Sequence, residues 1–206
     1  MPIHIPSPWT RVLAIAALIA PLLLYVADRH DRTVNEHRLS AIASRIAGRP
    51  VQVRCPGPFK RLLYETDEGH VMFDDAGHPA DVAELATGPC RELDALAEGE
   101  REDQLACAAR SDSCGDDVQR LGGAIDTLTH ESWHLAGVMD EGITECRSVQ
   151  TLAWTATQLG ATPQTGESLA RLVLATGYQD LPVPYRSPDC TNGGRLDLRP
   201  DDPAWP

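Results

Sequence analysis

His130-Glu131-Ser132-Trp133-His134 sets two imidazoles four residues apart, with a carboxylate beside the first. In a helix, positions i and i+4 stand one above the other, so both rings reach one divalent cation. Glu131 then faces the side where that cation's water would lie. The chemistry this trio supplies is hydrolysis, with two neutral nitrogen ligands for zinc and a base that takes a proton from water. Asp140-Glu141-Gly142-Ile143-Thr144-Glu145 follows Gly137, a residue suited to ending the helix, and offers three carboxylates where a third metal ligand is needed. The opposing reading is a pair of surface histidines on a solvated helix face.

Two helices must position these groups. From about Asp116, Val118, Leu121, Ile125, Leu128, Ser132 and Leu135 form one helical stripe, and His130 and His134 lie roughly 170° around the helix from it at 100° per residue. Gly123 and Thr127 share the histidine side and leave room for a groove. A second helix is expected from about Glu141 to Leu159, where Glu141, Glu145, Val149, Leu152, Ala156 and Leu159 fall on one stripe. An acid at the head of an apolar face requires a cation, a hydrogen-bonding partner or a proton.

With these residues the chain resembles the HExxH zinc metallopeptidases (zincins) and is most similar to their gluzincin branch, in which a second helix carries an Asn-Glu-Ala or Asn-Glu-Gly type motif. The resemblance implies Glu141 as third zinc ligand, Glu145 as the partner of His130, and Glu131 as the base acting on a zinc-bound water to cleave peptide bonds. A weaker resemblance to the metzincin spacing HExxHxxGxxD runs from His130 to Asp140 and would put Asp140 in the third ligand's place, although no Met follows Met139 to form a Met-turn. Only six residues separate His134 from Glu141, fewer than in thermolysin-like gluzincins, so a tight connection could instead bring Glu145 level with the histidines. The carboxylates rank Glu141, Glu145, Asp140. Tyr178, Tyr185, His70 and His78 are the candidates for stabilising an oxyanion.

The chain of 206 residues is 42% hydrophobic, long enough for one domain with its own core, and its net charge of −12 with scattered arginines excludes a nucleic-acid partner. Val12 to Ala27 is an uncharged run flanked by Trp9 and Arg11 before it and Asp28-Arg29-His30-Asp31-Arg32 after it. This run reads as an uncleaved membrane anchor, since a cut after Ala27 would place Tyr25 where a small residue belongs. Arg29, Arg32, Arg38 and Arg45 after the run favour a cytoplasmic domain, whereas six spread cysteines without a CxxC pair favour an exported, disulfide-bonded one; the cysteines weigh more.

The expected fold class is α+β, a small N-terminal β-hairpin or sheet packed on a mainly helical zincin-like core, preceded by one transmembrane helix. The anchor would occupy residues 1–28, the peptidase domain 29–180 and a Pro-rich extended tail 181–206. Val51 to Arg54 reads as a strand, Leu62 to Thr66 pairs with His70 to Phe73 as a hairpin, and Ala80 to Ala97 is helical but interrupted at Gly88-Pro89. A helix is expected over Glu167 to Thr176. The function implied is a single-pass, membrane-anchored zinc peptidase with an extracytoplasmic domain and a peptide or protein substrate. The alternative is a noncatalytic envelope protein that binds or scaffolds through a zincin-like helix pair.

Overall fold

Asp74 organises the first recognisable fold element: its carboxylate accepts from the backbone N–H of Ala76 and His78, and Gly77 takes a left-handed φ of 80°, which closes a tight turn. That turn joins β2 (Gly69–Phe73) to β3 (Pro79–Leu85) as an antiparallel hairpin, with Val71 opposite Ala83 and a bulge between Val71 and Phe73. β1 (Gln52–Arg54) adds to the other side of β3 in parallel, giving the order β1-β3-β2. The computed structural model describes residues 8–57, 68–110 and 114–202.

The strand over Pro79–Leu85 corrects the helix expected from Ala80. Ala, Glu and Leu there favour a helix locally, but pairing with strands on both sides and burial of Ala83 and Leu85 override that preference. Gly88-Pro89, expected to interrupt a helix, falls in the first turn of α2 (Thr87–Ala97), where proline's missing N–H leaves no bond unmade. The expected strand Leu62 to Thr66 lies outside the described residues.

The chain divides into two compact units, Met1–Val34 and Asn35–Pro206. α1 (Pro8–Ala47) begins in the first unit, where Ile19, Leu22 and Leu23 are exposed. Among the described residues no helix is long and apolar enough to cross a membrane, so the transmembrane helix expected over residues 1–28 has no counterpart among them. Most side chains of Val12 to Ala27 lie outside the described residues.

The second unit is mixed α+β, mostly helical around the three-stranded sheet. After α2 come α3 (Glu102–Arg110), α4 (Asp116–Leu135), α5 (Glu141–Gln158) and α6 (Pro163–Leu172), with α4 packed against β3, α2 and α5. Leu121, Ile125, Leu128 and Leu135 of α4 are fully buried with Val149, Leu152 and Ala156 of α5 and Leu169 of α6. Truncating one of these leucines to alanine costs about 2–5 kcal/mol. α6 starts earlier than the expected Glu167, because Thr162 caps it and Pro163 occupies its first turn, and it passes into a π-helical turn at Val173–Gly177.

Three disulfides fasten this framework. Cys55–Cys90 ties the end of β1 to α2, Cys107–Cys114 joins α3 to the start of α4, and Cys146–Cys190 pins the C-terminal segment to α5. Such a set belongs to an oxidising, extracytoplasmic environment. The segment after α6 is not extended throughout: it forms short 3-10 turns at Tyr178–Asp180 and Val183–Tyr185 and is clamped to α5 by Gln150, which donates to the Leu196 carbonyl and accepts from the Leu198 N–H.

Candidate metal centre

The site begins at the end of α4. Gly137 adopts φ 93°, and its N–H and that of Val138 bond back to His134 and Trp133 carbonyls, a left-handed helix stop open to glycine. This turn delivers the Val138 carbonyl to His134 Nδ1 at 2.6 Å. Two residues later Asp140 caps α5, accepting from the Ile143 N–H at 2.8 Å. Asp140 is exposed and spent on that cap, so it does not join the histidines.

His130, His134 and Glu141 come together with one ligand atom each, all within 4.8 Å of one another. His130 Nε2 is 3.0 Å from His134 Nε2 and 3.0 Å from Glu141 Oε2, and His134 Nε2 is 3.3 Å from the same oxygen. A tetrahedral zinc with bonds of 2.0–2.1 Å separates its ligand atoms by roughly 3.3 Å, so the triangle has the size such an ion requires. The tautomers point the same way. A carbonyl oxygen can only accept, so His134 carries its proton on Nδ1, and burial holds its pKa below the ordinary imidazole value. His130 presents Nδ1 to Glu145 Oε2 at 2.7 Å. Each ring thus turns Nε2 toward the other and toward a carboxylate oxygen, three acceptors that a cation would reconcile.

The histidines are not a solvated pair. His130 is 9% exposed and His134 5%, covered by α5, by Phe73 of β2 (ring edge-on to His134) and by Tyr185 (ring 6.1 Å from His130). α4 is therefore buried on both its leucine and its histidine sides in its last turns.

Glu131 is 5% exposed, and burial raises its carboxyl to about 7. It fits because β2 starts with a glycine: a Cβ at Gly69 would stand 2.9 Å from Glu131 Cγ and Oε1. A cleft of about 690 Å³ opens here, bounded by Glu68 to Phe73, by Asp126, Thr127 and the HExxH residues, by Glu141 and Glu145, and by Leu181 and Tyr185. A second hollow of about 750 Å³, near Arg171, Tyr178 and Arg186, contains no histidine or carboxylate and lies apart from this chemistry.

Of the candidate oxyanion groups, His70 and Tyr185 open onto the cleft. Tyr178 is buried and its hydroxyl accepts from the Ser187 N–H, while His78 pairs with Asp74 in the exposed hairpin turn. The C-terminal segment reaches the cleft because α5 carries Gly142 beside Glu141: a Cβ there would meet the Pro184 carbonyl and the Arg186 backbone at 3.2–3.3 Å.

Sequence reasoning missed Asp126, one turn before His130 on the same side of α4. It is half-buried, receives Ser148 Oγ–H at 2.6 Å and is hydrogen-bonded to Glu145. The signal was present as Asp126-x3-His130-x3-His134, a third polar residue at i, i+4 spacing. Glu68 was missed too; it accepts from Thr127 Oγ1 at 3.2 Å across the cleft.

No family model matches this chain, and it matches no curated protein and no solved structure. The resemblance to zincins therefore rests on the residues of the site and on their geometry.

Proposed function

We propose that this protein is a zinc-dependent peptidase of the cell envelope, held at the membrane by its N-terminal apolar run. The observation that carries the reading is the convergence of His130 Nε2, His134 Nε2 and Glu141 Oε2 at 3.0–3.3 Å, with both histidines' Nδ1 atoms already engaged. Zinc bound there supplies a Lewis acid for a carbonyl and acidifies water. Glu131 receives the proton, and a carboxyl near pKa 7 both takes and returns one at neutral pH. Glu145 and the Val138 carbonyl hold the two rings in register. Phe73, Leu181 and Tyr185 narrow the cleft against bulk water. β2 borders that cleft and, among the described residues, pairs with β3 alone, which suits an extended peptide laid along its other edge.

Export is supported by the three disulfides, and membrane attachment by the Val12 to Ala27 run with Ile19, Leu22 and Leu23 exposed. A noncatalytic binding or scaffold role is the second reading. It is favoured by the fact that a second proton on His130, bridging Glu145 and Glu141, would also satisfy the triangle. Elemental analysis of the full chain purified without added metal separates the two. Stoichiometric zinc that a His130→Ala, His134→Ala double variant lacks is the expected result; equal metal in both proteins would refute it.

A further inference from the structure

Glu145 has two polar neighbours in the α4–α5 interface. Its Oε2 stands 2.7 Å from His130 Nδ1, and its carboxyl is hydrogen-bonded to that of Asp126. Asp126 in turn receives the Ser148 hydroxyl on Oδ1 at 2.6 Å. Two ionised carboxylates present only acceptors to each other, so a pair in hydrogen-bond contact holds one proton between them. The outer partners decide where it sits. His130 Nδ1–H donates into Glu145 and favours the negative charge there, while Asp126 meets a neutral hydroxyl.

We propose that Asp126 is a positioning residue for the metal centre: as the neutral acid it donates its carboxyl proton into Glu145 and so keeps Glu145 ionised and aimed at His130 Nδ1. Every donor in the chain then has one acceptor. Ser148 O–H points to the Asp126 carbonyl-type oxygen, Asp126 O–H points to Glu145, and His130 Nδ1–H points to Glu145 from the other side. The environment agrees, since burial first and the charge of Glu145 second push the Asp126 carboxyl well above the usual carboxylate range. The consequence for zinc rests on the function proposed above; the location of the proton does not.

Two measurements test this, both on the full-length protein. Infrared spectra of the metal-free protein at neutral pH should contain a protonated-carboxyl C=O band that is lost in Asp126→Asn. A parent without that band, or a band unchanged in Asp126→Asn, overturns the assignment. Chelator competition then reads zinc affinity. Asp126→Asn, whose amide still donates to Glu145 and accepts from Ser148, should stay within about 3-fold of the parent, whereas Asp126→Ala should weaken binding by about 10- to 100-fold. Parent-like affinity in Asp126→Ala, or equal weakening in both variants, refutes the positioning role. The infrared comparison decides the proton's place even where Asp126→Ala does not fold. A parent that binds no zinc would overturn the peptidase reading and leave the infrared result standing by itself.

Discussion

Gly69→Ala places a methyl group where the cleft has no room for one except at the expense of Glu131. The new Cβ would lie 2.9 Å from Glu131 Cγ and Oε1 and 3.1 Å from Cδ, against an ordinary carbon–carbon contact of about 3.5–4.0 Å. The carboxylate must retreat by somewhat under ~1 Å, and a displacement of about that size in a reacting group costs on the order of 10²-fold in rate, or ~2.7 kcal/mol of barrier. The backbone accepts the change, because Gly69 is not among the glycines with left-handed φ, and alanine in place of glycine at a compatible position stabilises by about 0.4–1 kcal/mol. Hydrolysis of a fluorescence-quenched peptide mixture should therefore fall by roughly 10²-fold while zinc content and Tm hold. Glu131→Gln should lose at least as much, and the double variant should be no slower than Glu131→Gln alone, since the alanine acts through that carboxylate. A Gly69→Ala protein that cleaves at the parent rate, or a double variant far slower than Glu131→Gln, would refute the role given to Glu131.

Other perturbations separate the remaining groups. Glu141→Ala should strip zinc, whereas Glu145→Ala should weaken it by about 10- to 100-fold; zinc retained in the first and lost in the second would reverse their roles. Burial raises Glu131 and Glu145 from 4.5 to about 7, so the folded metal-free protein holds more protons than the unfolded chain across that window and loses stability as pH rises through it. His134, lowered from 6.5, opposes this as a single group, costing stability as pH falls below that value. The metal-free Tm should accordingly drop between about pH 5 and pH 7.5, with zinc restoring more at the higher pH; a metal-free Tm that rises over that range contradicts the burial of the two acids. Thiol labelling of intact, unreduced cells should find no free cysteine, and reactive thiols before reduction would place the domain in a reducing compartment.

Much of the helical part was legible because its signals are local. The apolar stripes of α4 and α5 repeat over several turns, Gly137 marks a helix stop, and the HExxH spacing states its own geometry. The sheet was harder. Pro79–Leu85 is built from good helix formers, and only its partners on either side make it a strand. The turn that creates it depends on the Asp74 side chain bonding forward to two backbone groups, a signal confined to Asp74-Asp75-Ala76-Gly77-His78. The contributions of Gly69, Tyr185 and the Pro184–Arg186 backbone to the cleft come from chain far from the motif, and no spacing rule reaches them.

The choice between Glu141 and Glu145 was more legible than it first looked. With Gly137 stopping α4 and Asp140 capping α5, the connection is too short for the helices to slide, and each step of four back along α4 meets a step of four forward along α5. His134 meets Glu141, His130 meets Glu145, and Asp126 meets Ser148, one residue short of the regular step. Moving the register by one turn, so that Glu145 faces His134, would set His130 against Val149 and Asp126 against Leu152. A buried carboxyl facing leucine loses its hydrogen-bond donors and costs several kcal/mol, whereas the observed register pairs every polar group on that seam with another. The matching of polar positions across two helices therefore discriminates where the motif alone does not, and Asp126 is the residue that makes the difference.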